Sequence, residues 1–450
     1  MKKLLALVLT IMMSLSGLYA VAVAEAGEGP SGSITYMIWG STVERDIVEK
    51  ICQSYMETHP GTNIELQYVP SEYDTKVTTL VAAGNEPDVA YMNPPIAYSL
   101  AENDKLVNIK ELAGQDDTFS FDDYVPGVWF ATDEDMVIGR RIGIAAYCLY
   151  YNVDALEAAG LEPYSTDWKN PMDWDTFVAN CKALTYDRNG LHPDDEGFDP
   201  ENIEQYGFSL SKDRVPVLLA ASGIQWTNED GTEFTIASEE GIDALQKFAD
   251  LIHVHHVCPT PVQSEGLPGA SVSLTSGMVA STLDGNWMCA DFAAAGANFN
   301  IGVLPSIYPE KYSAFEDCGP VVIFKSCDNL ELAWDFYKYA IDLSNNDSFY
   351  SEGISIPVLK DWLMDEEKLA QWTNNATHPS GYVGGLLTPL VESPITSAPT
   401  DYVRNFTQQN DLFSAALDRI FSGTATAEEA IMEVKPQIES LMQGIYSHGF

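Results

Sequence analysis

The stretch Ser33–Pro95 constrains the fold most, because it alternates strand-like and helix-like segments over 63 residues. Ile34–Trp39 is apolar and rich in β-forming residues, which predicts a buried strand. Ser41 then begins a helix, with Glu44 three residues later to complete a capping box. The turn-forming residues His59-Pro60-Gly61 end that helix.

The same alternation continues through a second strand, a second helix and a third strand. Residues 64–68 alternate in polarity, a helical pattern follows and ends at Gly84, and Asp88–Met92 is the third strand. This βαβαβ unit predicts a parallel, doubly wound α/β sheet. Ligands of such sheets bind beyond the carboxyl ends of the strands, where Trp39 and Asn93 lie. An aromatic ring and a free amide at one sheet edge favour a polar, ring-shaped ligand.

The N-terminal residues have the features of a signal peptide. Lys2 and Lys3 precede the apolar run Leu4–Met13, and small residues suited to cleavage occur at 22–26. We therefore expect residues 1–26 to be a leader, and the mature chain to be exported and without a membrane span. A chain of 450 residues is too long for one ordinary core, which predicts two lobes.

The charge of the chain limits its partners. The 66 acidic residues outnumber the 23 basic ones, so the formal net charge is −43. Nucleic acid would be repelled by such a surface, and neutral ligands are favoured over strongly anionic ones. An acidic surface also favours a monomer that stays in solution.

Two segments, one acidic and one rich in histidine, carry side chains that could bind a metal ion. Asp187–Gln205 is dense in the oxygen ligands that calcium prefers, but Leu191 breaks the EF-hand pattern, which favours a solvated loop. The histidines of His253–His256 do not have a zinc spacing, and they suit a helix end better. The seven cysteines lack CxxC spacing, so we expect neither a metal site nor a redox motif, and no cofactor.

Five segments in order resemble the extracellular solute-binding proteins of bacterial ABC sugar importers, in the group similar to maltose-binding protein. They are ITYMIWG, YDTKVTTLVAAGNEPDVAYMN, AAYCLYYNVDALEAAGL, GIDALQKFADLIHVHHVCPTP and LTSGMVASTLDGNWMCADF. The resemblance extends from about Ser33 to Val358, and no single segment is specific by itself.

The resemblance implies two α/β lobes of the type II periplasmic-binding-protein fold, joined by hinge strands and closing on a sugar. It places 31–145 and 321–352 in the N-terminal lobe, and 146–320 and 353–450 in the C-terminal lobe. It also implies permease subunits of an ABC importer as partners. Many relatives carry a lipid-modified cysteine after the leader, but the first cysteine here is Cys52, so we expect no lipid anchor.

The resemblance also implies a set of ligand-binding residues, with Trp287 as the best stacking platform and Tyr147 where a hinge strand passes the cleft. The full set is Trp39, Ser41, Glu44, Asn93, Tyr147, Trp226, Asp284, Asn286 and Trp287.

Several of these residues have a structural interpretation that the sequence leaves open. Trp39 is either a ligand contact or a core aromatic, and Trp226 either lines the cleft or packs beneath a hairpin. Glu44 is either a ligand contact or only the cap partner of Ser41. Asp284 either binds hydroxyl groups or caps the following helix.

Two functions other than sugar binding are also compatible with the sequence. A secreted glycoside hydrolase also needs aromatic platforms and two carboxylates. However, no acid is recognisable as isolated at a strand end in a setting that would raise its pKa, and no GxSxG motif is present. The second alternative is a protein of the same fold that binds a metal ion or another solute. We therefore expect a sugar binder that is not an enzyme.

Overall fold

The N-terminal alternation folds into parallel strands, as the sequence predicts. In the computed structural model, which describes residues 29–345 and 347–447, the first strand pairs in parallel with both the second and the third. The predicted leader, residues 1–26, lies outside the described residues.

The strands, in chain order, are β1 Gly32–Ile38, β2 Thr62–Tyr68, β3 Val89–Tyr91, β4 Trp129–Ala131, β5 Val137–Arg141, β6 Ala145–Asn152, β7 Tyr186–Asp187, β8 Ile203–Gln205, β9 Ser281–Gly285, β10 Phe299–Gly302, β11 Ala314–Asp317, β12 Pro320–Ile323 and β13 Ile395–Ser397.

The α-helices are Thr42–Thr58, Tyr73–Ala83, Pro94–Glu102, Ile109–Ala113, Val153–Ala158, Trp174–Leu184, Val215–Ala221, Glu239–His253, Pro261–Ser264, Ala270–Thr275, Met288–Ala294, Leu330–Tyr339, Ser348–Ser351, Asp361–Met364, Glu366–Thr373, Thr388–Glu392, Phe406–Phe421 and Ala427–Leu441. Within the described ranges, none of these helices is long and apolar enough to cross a membrane.

The strands form two large sheets. The first has the order β2-β1-β3-β12-β5-β4, and its parallel half is the predicted unit. The second has the order β10-β6-β11-β13, with β9 paired to β6 as well. In the second sheet β6 is the longest strand and bonds to β9, β10 and β11 in antiparallel fashion. The mixed α/β architecture expected from the sequence is confirmed.

The apolar segment 141–151 contributes to two strands that lie in different sheets. The first, β5, ends at Arg141 in the first sheet, and β6 begins at Ala145 in the second. Gly143 lies between them, where a Cβ atom would clash with the Ser355 hydroxyl, and Ile144 bridges to Ile356. The chain therefore bends where a second segment passes close to it.

The two segments with candidate metal ligands, Asp187–Gln205 and His253–His256, make hydrogen bonds within the protein. The Asp187 carboxylate accepts hydrogen bonds from the backbone N–H groups of Asn189, Leu191 and Asp199. The His253 Nε2 atom lies 3.0 Å from the Phe421 carbonyl oxygen. Among the residues described, the seven cysteines are buried free thiols.

A buried guanidinium joins the two sheets. Arg141 of β5 is fully buried, and its Nη2 atom donates to Glu316 Oε1 of β11 at 3.1 Å and to Asp401 Oδ2 at 2.7 Å. Glu316 also accepts from the Ser397 hydroxyl of β13 at 2.8 Å. One cation therefore links the first sheet, the second sheet and the segment after β13.

Replacing this cation should be strongly destabilising. An Arg141→Met substitution would leave the carboxylates of Glu316 and Asp401 buried without their partner, which typically costs about 3–5 kcal/mol. We expect the midpoint of urea unfolding to fall accordingly. The exposed Arg188, 3.9 Å from Glu204, is a matched control, and Arg188→Met should change the stability by less than about 0.5 kcal/mol. Equal effects of the two substitutions would contradict this role of Arg141.

Candidate functional site

A cavity of about 740 Å³ opens between residues that follow strands of both sheets. Trp39 follows β1 and Asn93 follows β3, whereas Trp287 follows β9 of the second sheet. Its floor includes the turn between β11 and β12, which carries Cys318 and Gly319. The strand-end position predicted from the sequence is therefore the position of this cavity.

Five of the nine predicted site residues line this cavity together. They are Trp39, Ser41, Glu44, Asn93 and Trp287. Their role in ligand binding stays a prediction.

An aromatic pair forms the wall on the side of the first sheet. The ring of Trp39 stacks on Tyr91 with centroids 3.8 Å apart and planes 7° from parallel, and Tyr73 packs 4.8 Å away at a tilt. The Tyr73 hydroxyl donates to the Tyr91 carbonyl at 2.6 Å, which fixes this arrangement. Trp39 is thus both packed against aromatic neighbours and exposed to the cavity.

The opposite wall is built around Trp287. Its ring makes an edge contact with Tyr147 at 5.4 Å, and the Arg214 guanidinium lies over the ring at 5.7 Å. Arg214 is in turn held by Asp284 Oδ1 at 2.9 Å. Gly285 is required here, because a Cβ atom would lie 2.1 Å from the indole ring.

The remaining four predicted site residues are not among the lining residues. Tyr147 is buried beside Trp287, and Asp284 binds Arg214. Asn286 is buried and bonds the backbone of Ala146, Gly353 and Ile354, of which Ile354 does line the cavity. All three therefore support the wall from outside the cavity.

Trp226 lies in the hydrophobic core that packs against the second sheet, and it does not line the cavity. It is buried, its indole N–H donates to Gln409 Oε1 at 3.1 Å, and its ring packs on Phe234, Phe406 and Phe413. Of the two interpretations that the sequence left open, the structure favours packing.

Glu44 occupies a desolvated position in the first turn of the helix Thr42–Thr58. Ser41 Oγ accepts from the Glu44 backbone N–H at 3.1 Å, as the capping pattern predicts. The Glu44 carboxylate lies over Gly40, whose φ of +137° favours glycine and where a Cβ atom would be 2.0 Å from Oε2. Burial raises the pKa of the Glu44 carboxyl to about 7, although the Ser41 backbone N–H opposes the shift.

The expectation that no strand-end acid has a raised pKa is wrong, because burial raises the pKa of Asp317 at the end of β11. Burial together with the Asp284 charge also raises the pKa of Asp291, in the helix Met288–Ala294. The effect depends on which side chains cover the carboxyl group, and sequence spacing does not contain that information.

Other residues line the cavity without having been predicted from the sequence, among them Asp74, Tyr91, Asp291 and Asp317. Two of these had a usable signal, because Tyr91 lies near the end of a predicted strand and Asp74 follows the start of a predicted helix. Asn93 donates to both Asp74 carboxylate oxygens, at 2.8 and 2.9 Å. Asp317 reaches the cavity because β11 and β12 lie in different sheets, which no local pattern predicts.

The raised pKa of Glu44 should make stability depend on pH. Its ordinary value is 4.5, so the native chain holds a proton that the unfolded chain releases between about pH 4.5 and about pH 7. Folding stability is therefore lost as the pH rises through this window, by at most about 3 kcal/mol. We expect Glu44→Gln to raise the melting temperature at about pH 8 and to leave it nearly unchanged at about pH 4.

Glu49→Gln, on the exposed face of the same helix, is the matched control and should lack this pH-dependent difference. The assignment fails if Glu44→Gln shifts the melting temperature equally at both pH values.

Comparison with solved structures supports the fold. An ABC substrate-binding protein from Listeria monocytogenes, solved with cycloalternan, is 19% identical with a TM-score of 0.76, over 91% of this chain and 98% of that chain. A solute-binding protein from Thermotoga lettingae, bound to α-D-tagatose, is 20% identical with a TM-score of 0.72, over 92% of this chain and 100% of that chain. A protein from Arthrobacter globiformis that binds cyclic α-maltosyl-1,6-maltose is 17% identical with a TM-score of 0.71, over 91% of this chain and 99% of that chain.

These likenesses span nearly the whole chain and establish the type II periplasmic-binding-protein fold. Residues 50–379 match the model of a family described as bacterial extracellular solute-binding protein. That match covers well over half of the 450 residues and includes the cavity-lining residues from Asp74 to Ser355. The chain belongs to the bacterial extracellular solute-binding protein family.

Proposed function

We propose that this protein is the substrate-binding component of an ABC importer and captures a carbohydrate, of the oligosaccharide class, between two closing lobes. The observation that carries the proposal is the cavity with an aromatic wall on each side, Trp39 with Tyr91 on one and Trp287 on the other. Its volume of about 740 Å³ exceeds what a single sugar ring fills and lies within the usual range of small-molecule sites.

The chemistry of the walls suits a sugar. A pyranose ring has apolar C–H faces that pack on aromatic rings, and polar edges that bond short polar side chains. Ser41, Asn93 and Asp74 supply such polar groups next to Trp39. Burying one ring face of ~100 Å² at ~25 cal/mol/Å² contributes about 2–3 kcal/mol before entropy losses.

We propose that the lobes comprise 31–145 with 321–352, and 146–320 with 353–450. The sheet membership of the strands supports this division: β1–β5 and β12 form one sheet, and β6, β9–β11 and β13 form the other. The connections near Ala145 and Gly319 would then act as hinge segments, and both line the cavity. Closure about such segments is an established way to enclose a ligand.

The solved relatives support the ligand class, because those from Listeria monocytogenes, Thermotoga lettingae and Arthrobacter globiformis were solved with, or bind, carbohydrates. The family assignment supports an exported protein that delivers its solute to permease subunits in the membrane. We propose that it works as a monomer, without nucleic acid as a partner, consistent with the net charge of −43.

Binding without catalysis is part of the proposal, and one observation favours the alternative of a glycoside hydrolase. A carboxyl group with a pKa of about 7, as at Glu44, is what a general acid requires. The family match supports a binding role over an enzymatic one. Recovery of the bound glycan after long incubation distinguishes the two functions, because a hydrolase would shorten it.

The first experiment is a thermal-shift screen of the mature chain against neutral mono- and oligosaccharides. A ligand at ~100 times its dissociation constant should stabilise the protein by about 2.7 kcal/mol, a readily measured rise in melting temperature. Trp287→Ala should then weaken binding by about 2 kcal/mol or more, roughly thirtyfold, because one aromatic platform is lost.

Trp168→Ala is the matched control, since this tryptophan is also partly buried on the second sheet's side but does not line the cavity. It should leave the affinity unchanged within about twofold. A screen in which no carbohydrate shifts the melting temperature, while a metal ion or a peptide does, would contradict the proposed function.

A further inference from the structure

The Trp287 ring packs against a cation that comes from another segment of the chain. Arg214 ends the 3₁₀ helix Lys212–Arg214 and directly precedes the helix Val215–Ala221, whose residues are buried except Pro216. Its guanidinium lies over the Trp287 ring at 5.7 Å and over the Tyr147 ring at 5.4 Å. The two rings meet edge to face, with their planes at 86°. One guanidinium is therefore within cation–π distance of both rings.

The strand pairing brings the partners of this cation together. Tyr147 of β6 is paired with Gly285 of β9 in antiparallel register, and Asp284 directly precedes Gly285. The Asp284 Oδ1 atom accepts from Arg214 Nε at 3.2 Å and from Arg214 Nη2 at 2.9 Å. The same oxygen accepts from the Gly285 backbone N–H at 2.8 Å. The guanidinium is thus fixed by a carboxylate that lies three positions before Trp287.

This arrangement supports the ring from outside the cavity. Trp287 lines the cavity, whereas Arg214, Asp284 and Tyr147 do not. The Arg214 side chain is 25% exposed and that of Asp284 is 16% exposed, so their attraction is screened less than that of a pair on the open surface. Trp287 itself is only partly buried, and packing alone does not enclose its ring. The guanidinium therefore supplies a contact that restricts the ring.

The shape of arginine matters here as much as its charge. A planar guanidinium stacks on aromatic rings with its face and bonds a carboxylate with its edge, whereas a lysine ammonium is a compact point charge. Arg214 makes both kinds of contact at once, to two rings and to Asp284. Lysine at this position would keep the charge but lose the stacking.

We propose that Arg214, held by Asp284, is a positioning residue that fixes the orientation of the Trp287 ring and does not contact the solute. The inference rests on the proposed function, in which Trp287 is a platform for a sugar. A ring that already has its bound orientation loses less entropy on binding, which strengthens the affinity without an additional contact. Asp284, predicted as a ligand-binding residue, then acts through Arg214 and not through the hydroxyl groups of the sugar.

The first test observes the ring in the mature chain without any sugar. Incorporation of 5-fluorotryptophan gives one fluorine NMR signal for each of the nine tryptophans, and the signal that disappears in Trp287→Phe belongs to Trp287. In Arg214→Met this signal should broaden or split, because the ring then exchanges between orientations. The signals of the buried Trp129 and Trp226 should keep their line widths, which shows that the variant is folded.

Lys212→Met is the matched control for the loss of a cation. Lys212 lies in the same 3₁₀ helix as Arg214 but pairs with Asp418, at 2.6 Å. Its replacement should leave the Trp287 signal unchanged. Asp284→Asn keeps the size of the side chain and should broaden the signal less than Arg214→Met does. A Trp287 signal that is as sharp in Arg214→Met as in the parent chain would overturn the proposal.

The second test is a double-mutant cycle, measured by calorimetric titration with maltotriose and with the tightest-binding carbohydrate of the neutral screen. Arg214→Met should weaken binding by about tenfold, and Arg214→Lys by less, because lysine retains the charge. In a chain that already carries Trp287→Ala, Arg214→Met should change the affinity by less than about twofold, because the ring that it positions is absent.

The outcomes separate this inference from the proposed function. Equal losses of affinity with and without the Trp287 ring would show that Arg214 contacts the solute itself, and the positioning role would be wrong. If no carbohydrate binds the parent chain, the sugar assignment is wrong, and the fluorine spectra still decide whether Arg214 fixes the ring.

Discussion

The structure depends on one buried cation, Arg141, at the point where the chain leaves the first sheet. Two carboxylates, Glu316 and Asp401, converge on it from parts of the chain far along the sequence. A buried ion pair gains little over a well-packed apolar pair, but losing one partner is severe because the other charges stay desolvated. This interaction therefore fixes which segments meet between the sheets, more than it adds to the total stability.

That junction determines the position of the cavity. Because β5 ends at Arg141 and β6 begins at Ala145, the two sheets are joined by a short bend instead of a shared strand. The connection between β11 and β12 crosses back beside it, and the Arg141 guanidinium reaches the Cys318 carbonyl there at 3.4 Å. Both crossings line the cavity, so any change in the angle between the sheets would change its width.

The sequence predicts those parts of the site that lie within one strand–turn–helix unit. Trp39 and Asn93 follow from the local pattern of strand ends, whereas Glu44 and Trp287 come from the family resemblance. Contacts between distant segments have no such pattern. The burial of Trp226 depends on helix Phe406–Phe421 packing over it, some 180 residues later, and position in the chain alone did not indicate this.

The same distinction explains the error about acidic residues. An acid near a strand end is visible in the sequence, but its protonation depends on what covers it and on the other charges that face it. Glu44 has an exposed neighbour in Val43 and still loses most of its solvation, because Gly40 lets the side chain fold back over the backbone. At the opposite wall Gly285 leaves room for the Trp287 ring in the same way. A glycine at each strand end therefore lets a side chain pack close to the turn that carries it, and this places a carboxylate beside one aromatic wall and forms the other.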